Sequence, residues 1–180
     1  LLDEGDPYTK LSLDKSISKI RSRNIFRTVE ATTTDGTAPN LKIIDIKVEE
    51  KPTGEVSAGA GIGTDGGQFV LKVKENNWLG EGKNLSFELD IDQESLGGVL
   101  NFTDPNYDFL GNSLNYYLSS TSSDKPDQGY ENTVVAAGIN TTFEQYKNIF
   151  TTLGISGSYD DLRTDGTASD SLKKQKGKFN

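Results

Sequence analysis

The stretch EVSAGAGIGTDGGQFVLKVKENNWLGEGKNLSFELDI, residues 55–91, decides the fold. Read in steps of two, it divides into faces. Val56, Ala58, Ala60 and Ile62 share one side, with Ser57, Gly59 and Gly61 on the other. Phe69, Leu71 and Val73 then oppose Lys72 and Lys74, and Leu85, Phe87, Leu89 and Ile91 oppose Ser86, Glu88 and Asp90. A period of two is the mark of a strand, because successive side chains of an extended chain point to opposite faces.

The pattern continues downstream. Leu100 and Phe102 alternate with Asn101 and Thr103, and Leu114, Tyr116 and Leu118 with Asn115, Tyr117 and Ser119. Val135, Ala137 and Ile139 follow, then Ile149, Thr151, Leu153 and Ile155. The sum is about seven strands of about nine to eleven residues, the length a tilted strand needs to cross a bilayer. Their connections differ by end. Thr64–Gly67, Gln93–Leu96, Ser119–Gln128 and the stretch after Tyr159 are polar and lengthen along the chain. The alternate turns, Asn76–Lys83, Asp104–Gly111 and Asn140–Lys147, carry Trp78, Tyr107, Phe109, Phe143 and Tyr146. Antiparallel hairpins place these sets at opposite ends, giving an aromatic rim and a polar rim, as in outer-membrane barrels.

Upstream the texture changes. Leu13, Ile17 and Ile20 recur at helical spacing among charged residues, predicting an amphipathic helix of about three turns. Asp6-Pro7 is its start signal and Asn24 its left-handed stop. Strands over Phe26–Thr33 and Leu41–Glu50 follow, the second burying Ile44, Ile46 and Val48 on one face. A helix on a hairpin is too small for a whole domain, so earlier elements are expected before Leu1.

Composition narrows the function. With 27 acidic and 19 basic residues the net charge is −8, which opposes binding to nucleic acid. A mean hydropathy of −0.56 resembles a soluble protein. A transmembrane strand, however, shows lipid only every second residue and needs no long apolar run. No segment approaches the roughly 20 apolar residues of a membrane-spanning helix, and no export signal is visible at the start. Without Cys or His there is no thiolate site, no triad and no common zinc site. No enzyme activity, cofactor or metal is expected.

The segment IIDIKVEEKPTGEVSAGAGIG, followed by Trp78-Leu79-Gly80, resembles the BamA family of outer-membrane protein assembly factors, which join polypeptide-transport-associated (POTRA) domains to a β-barrel. The matching residues are Val48, Glu50, Thr53 and Gly54 closing a last POTRA strand, then the glycine-rich strand with Gly59, Gly61 and Gly63. NFTDPNYDFLGNSLNYYL resembles the family's Pro-aromatic turn, with Pro105, Tyr107 and Phe109. SISKIRSRNIFRTVE resembles the last POTRA helix running into a strand. The fold class this implies is mainly β. Residues 1–52 are the C-terminal part of a last α+β POTRA domain, and residues 53–180 open an incomplete antiparallel transmembrane barrel of roughly sixteen strands. Taken alone, such an open sheet has two unpaired edges and an exposed apolar face, and is expected to aggregate in water.

The resemblance further implies a non-enzymatic assembly factor in the outer membrane, its N-terminal part in the periplasm. The implied partners are unfolded outer-membrane barrel proteins, accessory assembly lipoproteins and outer-membrane lipid. Val56, Ser57, Ala58, Gly59, Ala60, Gly61, Ile62 and Gly63 would form its lateral-gate strand. The glycines weaken strand packing and leave backbone groups for an incoming strand to pair with. The plainer reading is that small residues fit a tight barrel interior. Trp78, Leu79, Gly80, Pro105, Tyr107 and Phe109 would anchor the periplasmic rim. A translocation barrel of the same superfamily, TamA-like or of two-partner secretion, and a soluble β-rich binding module are the competing functions. Asp90, Asp92 and Glu94 invite a calcium reading but fit strand and turn positions better. Lys173, Lys174, Lys176 and Lys178 read as a solvated loop ahead of lipopolysaccharide contact, and Asp160 with Asp161 as loop residues ahead of a hydrolytic pair.

Overall fold

The computed structural model describes residues 2–63, 66–108 and 110–179. Asp65 of the Asp65-Gly66 turn signal and the rim candidate Phe109 lie outside the described residues. The chain divides into two compact units, Leu1–Thr53 and Gly54–Asn180.

The first unit is a helix, α1 (Lys10–Ser22), on a hairpin of β1 (Phe26–Asp35) and β2 (Lys42–Glu50). The helix starts at Thr9 rather than at Asp6-Pro7, because the Thr9 hydroxyl accepts the Ser12 N–H at 3.1 Å and so satisfies a free first-turn donor. Asn24, at φ 58°, ends it as expected and donates its N–H to the Arg21 carbonyl at 3.0 Å. Leu13, Ile17 and Val29 are buried, with Ile20, Phe26, Ala31 and Ile44 packed around them. The expected burial along β2 stops at Ile44. Ile46 and Val48 stay 43% and 47% exposed, although they sit opposite Ala31 and Val29. The helix lies on β1, and one strand spacing of about 4.8 Å takes their side chains out from under it.

The second unit is one antiparallel sheet in which each strand pairs with its sequence neighbours. Its strands are β3 (Gly54–Gly63), β4 (Gly66–Trp78), β5 (Lys83–Asp92), β6 (Ser95–Asp104), β7 (Ser113–Lys125), β8 (Tyr130–Tyr146), β9 (Ile149–Thr164) and β10 (Gly177–Phe179). A short helix, α2 (Asp170–Gln175), precedes β10 and holds Lys173 and Lys174. The expected count of about seven therefore becomes eight. The three residues of β10 pair with Asp160–Leu162 but are too few for an alternation to register in sequence.

Strands β7, β8 and β9 run 13, 17 and 16 residues, longer than expected. Ser119–Lys125 is strand and not loop, because ladder hydrogen bonds use the backbone and are indifferent to polar side chains. The same holds for Asn140–Tyr146, which leaves only Lys147 and Asn148 to turn between β8 and β9. The polar-end connections are consequently short up to β9, and the 105–112 turn at the aromatic end is longer than they are, so the expected difference in loop length survives only in the stretch between β9 and β10. Among the described residues of this unit, Ala168 is the one buried hydrophobic side chain. The sheet itself contains no core.

Candidate functional site: an apolar face, an open edge and an aromatic rim

Directly opposed residues in an antiparallel ladder share a face, so the registers show which side chains stand together. Val56 lies opposite Val73, and the row continues through Phe87, Leu100 and Leu118 to Ala137. A neighbouring row runs Leu85, Phe102, Tyr116, Ile139 and Ile155, with the Phe102 and Tyr116 rings 6.3 Å apart. These side chains cover nothing: Val56, Leu100, Leu118 and Ile155 are 41–77% exposed. The opposite face is wet. Lys72 and Glu88, facing each other, pair at 2.6 Å, and the Asn115 amide donates to the Thr103 hydroxyl at 2.7 Å.

The apolar band crosses the rows obliquely. Phe69, Ile91 and Leu96 form a row that continues as Ser122, Thr133 and Asp161, turning polar between β6 and β7. Conversely, Ile155, about midway between Ile149 and Tyr159 on the apolar face of β9, belongs to a row that leads back to Gly54, ahead of the apolar run of β3.

The strand singled out as a gate, Val56–Gly63, lies in β3 at one edge of the sheet, its ten residues all exposed. It pairs along one side with β4, from Gly54 opposite Glu75 to Gly63 opposite Gly66. A Cβ at Gly59, Gly61 or Gly63 would meet nothing within 4 Å, and none of the three has a positive φ. Neither crowding in this sheet nor turn geometry therefore accounts for the glycines. Backbone freedom is one property that glycine brings to an edge strand.

Three turns share the aromatic rim. Between β4 and β5, Leu79 (φ 58°) and Gly80 (φ 76°) take left-handed conformations. The Asn77 carbonyl accepts the Gly80 N–H at 2.9 Å, and its side-chain oxygen accepts the Gly82 N–H at 2.7 Å. Between β6 and β7, which contains Pro105 and Tyr107, the Asp108 carboxylate accepts from the N–H groups of Leu110 and Asn112 at 3.0 Å each and from the Asn112 amide at 2.6 Å. Desolvation pushes the Asp108 carboxyl up, but the donors on Asn112, Leu110 and Gly111 outweigh it and hold the group below its ordinary range. Between β8 and β9 the Asn148 N–H donates to the Glu144 carboxylate at 2.7 Å. Trp78 and Tyr107 are 39% and 46% exposed. Leu110, at 84%, is the rim residue that sequence reading missed. The signal that finds it is the tripeptide aromatic-Leu-Gly, present at 78–80 and again at 109–111.

The remaining candidates resolve into structural roles. Asp92 accepts the Glu94 N–H at 2.8 Å, Glu94 pairs with Lys125, and no metal-binding cluster occurs among the described residues. Asp160 and Asp161 lie in β9 and not in a loop, on opposite faces, with Asp161 bound to Arg163 at 2.9 Å. Lys173 donates to the Gly166 carbonyl at 2.9 Å, and the Lys178 ammonium stands 6.0 Å from the Tyr159 ring centre.

Residues 77–180 match the model of the Omp85 superfamily domain. The chain belongs to the Omp85 superfamily. Among its Omp85 relatives, the outer membrane protein assembly factor BamA of Neisseria meningitidis serogroup B (strain ATCC BAA-335 / MC58) is 28% identical over 144 residues, 76% of this chain and 18% of that protein. The chain thus spans less than a fifth of that relative. The crystal structure of BamA from Haemophilus ducreyi lacking POTRA domains 1–3 shares the fold, with a TM-score of 0.78 at 22% identity over 91% of this chain and 32% of that one.

Proposed function

We propose that this Omp85 chain is part of an outer-membrane protein assembly factor. Residues 1–52 close its last periplasmic POTRA domain, and the sheet from Gly54 onward opens its transmembrane barrel. The observation that carries this reading is the slope of the apolar band. From the middle of the apolar run in β3, near Gly59, to Gly54, in the row of Ile155, is five residues. That is roughly 17 Å along the strand over roughly 29 Å of sheet from β3 to β9, a slope of about 30°. Transmembrane barrel strands tilt by about 35–45° to the membrane normal, so a lipid-facing band must cross their registers at such an angle. A soluble sandwich would instead cover this face with a second sheet about 10 Å away.

In this reading β3 is the lateral gate. Its free backbone groups and its glycines suit it to accept a strand of an unfolded client barrel by edge pairing. Every backbone group of the client must find a partner before it enters hydrocarbon, and a pre-formed edge supplies the first row of them. Strand pairing and burial of client side chains in lipid supply the free energy, with no nucleotide and no catalytic residue. Accessory lipoproteins are further partners of the full-length protein.

The test is depletion of the full-length protein in its host. The assembly role requires the levels of many unrelated outer-membrane barrels to fall together. Loss of a single secreted substrate with normal barrel levels would assign a translocation pore of the same superfamily instead.

A further inference from the structure

We propose that Glu55 sets the register of a strand that pairs with the free edge of β3, by accepting a cationic side chain on that strand's wet face. The proposal rests on the gate reading above. Backbone pairing alone does not choose a register. A slip of one residue is resisted by the faces, because it turns the incoming strand's apolar side chains away from Val56, Ala58, Ala60 and Ile62. A slip of two keeps both faces in place, and a glycine-rich strand does little to oppose it. What discriminates is a side chain unlike those two residues away on its own face. The wet face of β3 otherwise holds Ser57, Gly59, Gly61 and Gly63, so Glu55 is the sole charge that this strand offers.

The charges around it select a cation. Glu55 lies opposite Lys74, in the row that continues through Ser86, Asn101 and Tyr117. Lys72 with Glu88 and Glu131 with Arg163 are likewise directly opposed, and they are ion-paired at 2.6 and 3.9 Å. Among the described residues Glu55 and Lys74 form no such pair, and Glu55 is exposed. Over β3 to β5 the wet face carries Glu55, Glu88, Asp90 and Asp92 against Lys72 and Lys74, so the surplus is negative whether or not Lys74 screens Glu55. On an added strand, the residue opposite Glu55 stands with its Cβ about 5 Å away, and Lys74 is a further strand spacing of about 4.8 Å off. The nearer charge decides: a cation is attracted and an anion repelled, and signs then alternate along the row.

The test uses the full-length protein in zwitterionic phospholipid vesicles, carrying Ser57→Cys as its single cysteine. The probes are three synthetic peptides of alternating valine and serine, the length of β3. Each has a cysteine on its serine face and, two residues after it, lysine, glutamine or glutamate. Paired antiparallel in the proposed register, the cysteine meets position 57 and the variable residue meets Glu55. Disulfide yield is expected to fall from lysine through glutamine to glutamate, by roughly two- to fivefold between the extremes. Glu55→Gln is expected to abolish this order and Glu55→Lys to reverse it. Equal yields for the three peptides with Glu55 in place overturn the proposal and assign its charge to pairing within the barrel itself. An equal loss for all three in Glu55→Gln also overturns it, because that pattern marks a structural role. Ser119→Cys, on β7 with both neighbouring strands paired, is the control. Yields at 57 no higher than at 119 for every peptide overturn the gate reading itself.

Discussion

A single missing side chain shapes the wet face at Gly138. It lies opposite Tyr117, and a Cβ there would fall 2.4 Å from Cε1 of the ring, so the phenol lies across the glycine. Gly138→Ala is expected to cost about 1–3 kcal/mol, the range for overpacking. The same change in a Tyr117→Ser background is expected to be close to neutral. Urea unfolding of the four proteins of this cycle in lipid or detergent measures the coupling, and additivity would show that the ring does not depend on the gap. The Asp108 turn gives a pH dependence. Folding holds this carboxyl below its ordinary value, so its contribution is present above the unfolded carboxyl's pKa and is lost as pH falls through the folded one. Amide protection at Leu110 and Asn112 is expected to hold from pH 7 to about 5 and to fall below about pH 4. In Asp108→Asn it is expected to be weaker at neutral pH and independent of acid, and an unchanged acid transition there would assign the effect to another group. Local signals of this kind were unevenly legible. Asn24 announced a left-handed stop by residue type alone, whereas Gly138 meant nothing until the register placed Tyr117 across from it.

At the scale of elements, strands β3 to β6 were legible because each alternates large apolar with charged or small polar residues. Strands β7 and β8 ran past their expected ends because Ser119–Lys125 and Asn140–Tyr146 pair through backbone and polar side chains, Ser122 with Thr133 and Thr142 with Thr152 among them, leaving little apolar period to read. The same distinction bears on β3. Its position at the sheet edge is a matter of topology, whereas the gate role proposed above rests on backbone freedom. Gly59→Ala with Gly61→Ala introduces no clash, since both Cβ positions are open, and it removes unfolded-chain freedom worth about 0.5–1 kcal/mol at each site. Thermal stability of the barrel is therefore expected to hold or rise. The rate at which the reconstituted protein folds a client barrel is expected to fall several-fold. A faster or unchanged client rate alongside the gain in stability would separate the glycines from the gate and return them to a packing role.

For the molecule as a whole, the oblique band makes a prediction that no single strand can. Leu85 and Ile139 belong to one register row, and Leu71 and Val135 to another. If the membrane followed the rows, arginine would cost the same at both members of each row. With the band tilted by about 30°, Ile139 lies midway between Val135 and Phe143 and Leu71 midway between Phe69 and Val73, whereas Leu85 and Val135 lie at the ends of the apolar runs of their strands. Arginine at a bilayer midplane costs about 2–4 kcal/mol and near an interface about 0–1. Ile139→Arg and Leu71→Arg are thus expected to fall in the higher range, and Leu85→Arg and Val135→Arg in the lower. Unfolding of the full-length variants from lipid vesicles reads all four. The costs are crossed between the two rows, so general damage to β4, β5 or β8 cannot mimic the pattern. Equal costs within each row would remove the tilt and, with it, the main physical support for a transmembrane barrel.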